Sequence, residues 1–158
     1  HSQIPREWIS GGDYAFAYCD SLTSVTIPGS VKTIGESAFE GCSNLIEFEI
    51  PSTVTSIGPY AFYDVAVESI VIPDGVETLS KAFYAAGMKN LTIGKNLRTF
   101  DVQEFAFCSN LERITINSEN ANNFATFFTG ESGCIIYFQI KKFITLFRFI
   151  PNKTRKAI

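Results

Sequence analysis

Histidine is almost missing from this chain of 158 residues, in which the only one is His1. A histidine commonly serves as the base beside a serine or cysteine nucleophile, so this lack disfavours that class of enzyme. The sequence also has no glycine-rich phosphate loop and no serine nucleophile motif. Its four cysteines form no Cys-x-x-Cys pair, which disfavours zinc. We expect a non-catalytic protein with no cofactor, no metal and no small-molecule substrate.

Long hydrophobic runs are also lacking. The most apolar stretch, Cys134 to Ile150, is interrupted by Lys141, Lys142 and Arg148 and is shorter than the roughly 20 residues that a membrane span needs. Hydrophobic residues nevertheless make up 46% of the chain and charged residues only 18%, which is enough apolar material for a folded core. The composition therefore favours a folded domain without a membrane partner.

The charges are divided unevenly along the chain. Residues 1–140 hold 7 Lys and Arg against 16 Asp and Glu (7 − 16 = −9), whereas residues 141–158 hold 6 basic residues and no acid (+6). A basic end can bind nucleic acid or an anionic membrane, or it can be a solvated end that discourages edge pairing. We favour a solvated basic end. We therefore expect that the partner of this chain is neither nucleic acid nor a membrane.

What the chain does contain is an internal repeat. Five phenylalanines recur at spacings of 23, 23, 21 and 22 residues, and four of them follow an alanine. These are Phe16, Phe39, Phe62, Phe83 and Phe105, which we use to number repeats one to five. After each one comes a short alternating segment: Ser-Val-Thr-Ile, Glu-Phe-Glu-Ile, Ser-Ile-Val-Ile, Asn-Leu-Thr-Ile and Arg-Ile-Thr-Ile. A period of this length is typical of solenoids.

Each repeat predicts one strand, one turn and one compact bend. Alternating apolar residues predict a half-buried strand, and the Pro that follows in the first three repeats ends it because it has no N–H. The Ala-Phe segment suits a single helical turn. No repeat can bury its apolar face alone, but stacked repeats cover one another.

The unit from Cys42 to Phe62 reads Cys-Ser-Asn-Leu-x-x-Phe-x-Ile-Pro-x-x-Val-x-x-Ile-Gly-x-x-Ala-Phe. It resembles the BspA-type leucine-rich repeat, and the resemblance covers roughly residues 4–117. That resemblance implies an α/β solenoid, a right-handed superhelix with a parallel β-sheet on its concave side. It also implies a cell-surface or secreted adhesion or binding module, in which no residue is catalytic.

Three segments follow from this pattern. Residues 1–133 are the predicted solenoid, whose first repeat is partial because Ile4-Pro5 matches Ile50-Pro51, and whose last repeat, around Phe128, is degenerate. Residues 134–150 are a predicted C-terminal cap, since the last repeat would otherwise leave its apolar face in water. Residues 151–158 are predicted to be a flexible basic tail.

The outward strand positions on the concave side are the predicted partner-binding surface. They are Ser24, Thr26, Glu47, Glu49, Ser69, Val71, Asn90, Thr92, Arg113 and Thr115. This surface is polar and mixed in charge, which suits a protein partner, such as a host or matrix protein, or a glycan. The alternative is a structural spacer that holds another domain away from a surface.

Cys19, Cys42 and Cys108 occupy one position of the repeat, three residues after the phenylalanine. Val65 and Ala86 fill the same position in the other repeats, so it accepts a small apolar group. We expect buried, unreactive thiols. A Cys19–Cys42 disulfide stays open, because adjacent rungs of a solenoid lie about 5 Å apart.

Overall fold

The structure is a computed structural model that describes residues 2–3, 10–101, 104–118, 135–140, 143–148 and 156–157, with side chains for 12–101 and 104–118. Within these residues it contains thirteen strands and no helix. The strands are β1 Ser2–Gln3, β2 Ser10–Gly11, β3 Val25–Thr26, β4 Thr33–Ile34, β5 Ser56–Ile57, β6 Ser69–Ile72, β7 Thr78–Leu79, β8 Asn90–Ile93, β9 Thr99–Phe100, β10 Arg113–Ile116, β11 Ile135–Ile140, β12 Phe143–Arg148 and β13 Lys156–Ala157. Predictions for Ile4-Pro5, Phe128 and residues 151–155 lie outside the described residues.

The main sheet stacks one strand from each successive repeat. Strands β6, β8 and β10 are parallel and in register, so that Ser69 pairs with Asn90 and Asn90 pairs with Arg113. Along β6 the side chains alternate between exposed and buried, as expected for a strand with one face on a core. The predicted parallel solenoid sheet is therefore confirmed for these repeats, whereas the handedness of the superhelix and the concave curvature stay predictions.

A second row of short strands follows the turn after the main strand. Strands β2, β4 and β5 pair in parallel, and β7 pairs with β9. In register, Ile34 pairs with Ile57, and Leu79 pairs with Phe100. Repeats one, three and four therefore each contribute two strand segments and one Ala-Phe turn to the cross-section of the solenoid.

The core is built around a column of phenylalanine rings. Rings of Phe16, Phe39, Phe62 and Phe83 stack nearly parallel, with centroids 5.4, 5.5 and 5.4 Å apart. Phe105 continues the column at 6.3 Å from Phe83. The three central rings are fully buried. Burying a Phe side chain contributes about 1.5–3 kcal/mol, so this column is a main source of stability.

The Ala-Phe segments form turns rather than the helical turn expected from the sequence, which is not present in the described residues. The reason lies in the backbone, which has positive φ two residues before and two residues after the phenylalanine. Residues with this conformation are Tyr14, Tyr18, Ser37, Gly41, Tyr60, Asp64, Lys81, Ala85 and Phe107. A right-handed helix needs negative φ throughout, so it cannot form here.

Alternate N–H groups of these turns donate to the next repeat. The N–H of Phe16 donates to the carbonyl of Ala38 at 2.8 Å, and the N–H of Phe39 donates to that of Ala61 at 2.8 Å. The intervening N–H groups close turns within the repeat, such as Ala17 to the carbonyl of Tyr14 at 3.2 Å. The positive φ values thus orient the backbone for bonds along the solenoid axis as well as within the turn.

The strand predicted at Glu-Phe-Glu-Ile in repeat two is reduced to a single bridge, Ser24 with Glu47. Phe48 stands at the inward position that is Val25, Ile70, Leu91 or Ile114 in the other repeats. Its larger ring is only half-buried and stacks on Phe62, with centroids 4.8 Å apart. Among the described residues, no strand pairing joins this segment to β6 of repeat three.

The last three strands extend the main sheet beyond repeat five. Strand β11 pairs with β10 in parallel, with Ile136 opposite Ile114 and Phe138 opposite Ile116. Strand β12 then pairs antiparallel with β11, and β13 with β12. The division into solenoid, cap and tail stays a prediction.

The thiol position differs among the repeats. Cys42 and Cys108 are fully buried, whereas Cys19 is only partly buried, so the prediction of burial is correct for two of the three. All three are free. The Cys42 thiol donates to the carbonyl of Phe16 at 3.0 Å, and burial raises its pKa to about 11.

Candidate functional site

All ten predicted partner-binding residues lie on the solvent-facing side of the strand segments. Five of them, Ser24, Asn90, Thr92, Arg113 and Thr115, are exposed or partly exposed on a face whose inward neighbours, such as Leu91 and Ile114, are buried. The other five (Thr26, Glu47, Glu49, Ser69, Val71) are exposed. Strand alternation correctly predicted which side chains this face presents.

A cleft interrupts this face where the strand pairing is missing. It has a volume of about 920 Å³ and lies between the strand segments of repeats one, two and three. Six of the ten predicted residues line it: Ser24, Thr26, Glu47, Glu49, Ser69 and Val71. The structure therefore brings these six together and leaves the remaining four beyond β6, along the continuous part of the sheet.

The cleft combines exposed apolar groups with carboxylates. Ile46 and Val71 are 55% and 59% exposed, which is high for large aliphatic side chains. Glu47, Glu49 and Glu68 contribute carboxylates to the same lining. This mixture of an apolar floor and a polar rim is typical of protein-interaction surfaces.

The continuous part of the sheet face has a different character. The Asn90 side-chain amide donates to the Ser69 hydroxyl at 3.3 Å. Lys89 and Glu68 form an exposed ion pair at 3.3 Å. Exposed ion pairs of this kind contribute at most about 1 kcal/mol to the free energy of unfolding, so this pair affects the surface charge more than the stability. This part offers hydrogen-bonding groups but no apolar floor.

Ile46 and Glu68 were missed by the sequence analysis. Both precede the strand, whereas the predicted set was chosen by strict alternation within it. Both line the cleft, which opens where the strand of repeat two is reduced to a single bridge. The available signal was Phe48, the one phenylalanine at an inward strand position in the five repeats.

In the described residues, no group of three or more His, Cys, Asp or Glu side chains converges in a way that could hold a metal ion. In the same residues, no helix has the length and apolarity to cross a membrane.

Several solved structures are similar to this chain. A leucine-rich repeat protein of T. pallidum is 25% identical with a TM-score of 0.65, over 72% of this chain and 56% of that one. A leucine-rich cell surface protein of Faecalibacterium prausnitzii is 25% identical with a TM-score of 0.57, over 97% and 43%. The pneumococcal vaccine antigen PcpA, at 21% identity and a TM-score of 0.72 over 89% and 36%, shares the fold.

This chain thus spans less than two thirds of the length of these solved proteins. No curated protein is significantly similar to it. The BspA type leucine-rich repeat region matches residues 9–145 in six copies, which covers most of the chain. With the repeat spacing, the parallel rungs and this match in agreement, the chain belongs to the BspA type leucine-rich repeat family.

Proposed function

We propose that this chain is a non-catalytic interaction module of a cell-surface or secreted protein, and that it binds a protein partner through the sheet face. The observation that carries the proposal is the cleft between repeats two and three, with its exposed Ile46 and Val71. Single exposed apolar residues are ordinary, but two beside an open cleft favour a binding role.

The surface location is supported by the relatives rather than by this chain's own residues. The similar protein of Faecalibacterium prausnitzii is described as a leucine-rich cell surface protein. A host or matrix protein is therefore the partner class that we propose, with a glycan as the other class to test.

The test is an array of purified matrix proteins and glycans probed with the folded chain and its variants. We expect the chain to retain at least one matrix protein and the double variant Ile46→Ser/Val71→Ser to lose it by about tenfold or more. The control is Thr78→Ser/Thr99→Ser, which shortens two exposed side chains on β7 and β9 that do not line the cleft. If the wild-type chain retained nothing on the array, a structural spacer would be the better interpretation.

A further inference from the structure

Aromatic side chains form a second surface, on the side of the solenoid built from the Ala-Phe turns. It consists of Tyr14, Tyr18, Tyr60, Tyr63, Tyr84 and Phe107, which we call the aromatic strip. Five of the chain's six tyrosines belong to it. They occupy the positions two residues before, one after or two after the phenylalanine of the repeat. The turn geometry therefore directs them away from the buried column.

In repeats three to five the rings of the strip contact one another. Tyr60 and Tyr63 of repeat three lie edge to face at 6.2 Å, and Tyr63 stacks on Tyr84 of repeat four at 5.8 Å. Tyr84 meets Phe107 of repeat five at 5.4 Å. Ring contacts therefore link repeats three, four and five along the strip.

The first repeat extends the strip through Tyr18. Its ring lies over Gly41, where an added Cβ would come within 2.6 Å of ring carbon Cδ1. Its hydroxyl bonds the Glu40 carboxylate at 2.6 Å. That bond raises the pKa of Tyr18, and the nearby phenols of Tyr63 and Tyr14 add to the rise. Glycine at position 41 is thus what allows the ring to reach repeat two.

Three residues of the strip are largely exposed, and Tyr60, Tyr63 and Tyr84 are partly exposed. Tyr14, Tyr18 and Phe107 are 56%, 65% and 70% exposed, while the buried phenylalanine column already fills the core. The rings of repeats three to five are contiguous, and a contiguous apolar patch is typical of an interaction site. Tyr is also among the residues that contribute most to binding at protein interfaces.

Carboxylates border the strip and define its electrostatic character. Glu36 accepts a hydrogen bond from the Tyr14 hydroxyl at 3.3 Å, and Glu40 accepts one from Tyr18. Asp64 follows Tyr63 and is exposed. In the described Ala-Phe turns, Lys81 is the only basic residue, so negative charge predominates beside the strip. Aromatic rings and carboxylates both attract cations, and Arg in particular stacks on rings while bonding carboxylates.

We propose that the aromatic strip binds an extended Arg- and Lys-rich segment of another protein. Rings supply the stacking surface and the bordering carboxylates supply the ion pairs. Repeats one to five span about 19 Å at the usual strand spacing of about 4.8 Å. An extended chain of about six residues covers that length at about 3.3 Å per residue. This surface is separate from the cleft on the sheet face and does not depend on the function proposed there.

The test uses labelled peptides of about eight residues, one alternating Arg and Ser and one alternating Glu and Ser, and a neutral oligosaccharide. Fluorescence anisotropy would give the affinity of the folded chain for each probe. We expect binding of the Arg peptide alone, weakened by added salt. Failure of the Arg peptide to bind at low salt, or tighter binding of the oligosaccharide, would overturn the proposal.

Variants of the chain then show whether the Arg peptide binds the strip or is only attracted by the net negative charge of the protein. Tyr18→Ser/Phe107→Ser keeps every charge, and we expect it to weaken the Arg peptide about tenfold. The matched control Ile46→Ser/Val71→Ser removes two similarly exposed apolar groups from the cleft and should leave the affinity unchanged. Glu40→Gln/Asp64→Asn should weaken binding and reduce its dependence on salt. Equal losses in the strip and cleft variants, with unchanged melting temperatures, would refute the assignment.

Discussion

The two sides of the solenoid hold their repeats together differently. On the Ala-Phe side, backbone hydrogen bonds or ring stacking join every neighbouring pair among repeats one to five, from Phe16 to Phe105. On the sheet side the pairing stops between Glu47 and Ser69, where the cleft opens, in the part of the chain that the structure describes. The comparison teaches that the turns and the phenylalanine column secure the stack, so that the sheet can be interrupted without separating the repeats.

Truncating the column should have the largest effect on stability. Phe62 is fully buried and contacts the rings of Phe39, Phe83 and Phe48. We expect Phe62→Ala to lower the free energy of unfolding by about 3–5 kcal/mol. Phe48→Ala, on the sheet side and half-buried, should cost clearly less. Urea unfolding of both variants measures the difference, and equal losses would contradict the dominance of the column.

Glu104 makes one contact of the turn side sensitive to pH. It stands where the other four repeats have alanine, and its carboxylate accepts the N–H of Phe83 at 3.0 Å in place of a backbone carbonyl. The other carboxylate oxygen, Oε2, has no hydrogen-bond partner among the described residues. Burial raises the pKa of Glu104 from 4.5 to about 7.

Between these two pH values the folded state holds more protons than the unfolded state, so stability falls as the pH rises. The expected loss from below pH 4.5 to above pH 7 is about 3 kcal/mol. Glu104→Gln, which cannot ionise, should remove this loss. Because other carboxyl groups titrate too, the measured quantity is the difference in unfolding free energy between the two proteins at each pH. A difference that did not change with pH would contradict the prediction.

Gly41 tests the backbone of the turn side. Its φ is +68°, and a Cβ there would meet the Tyr18 ring. We expect Gly41→Ala to cost about 1–2 kcal/mol from the left-handed backbone alone. Gly29→Ala, where nothing lies within 4 Å of the added Cβ, is the matched control on thermal unfolding. A control that was equally destabilised would show that the cost is not specific to the turn.

The three thiols should differ in the rate at which a thiol reagent labels them, with no effect on the free energy of unfolding. A thiol reagent should label partly buried Cys19 in the native protein well before fully buried Cys42 and Cys108. Mass spectrometry of digested, partially labelled protein would give the order. Equal rates at all three positions would show that the first repeat is covered as completely as the others.

The sequence by itself determined the repeat, its spacing and the residues of the core. Phe39, Phe62 and Phe83 could be assigned to a buried column because each repeat must cover the next, and strand alternation assigned the sheet face. Burial of Cys42 and Cys108 followed from the small apolar residues at equivalent positions. These features depend on periodic pattern, which is local and repeats in register.

Only the tertiary structure decided the rest. Whether Ala-Phe forms a helical turn depends on φ values set by bonds to the next repeat, and those bonds join residues more than twenty positions apart. The cleft depends on how Phe48 packs against Phe62, and the aromatic strip on which turn positions face solvent. Such features arise from differences between neighbouring repeats, whereas the sequence pattern records what the repeats have in common.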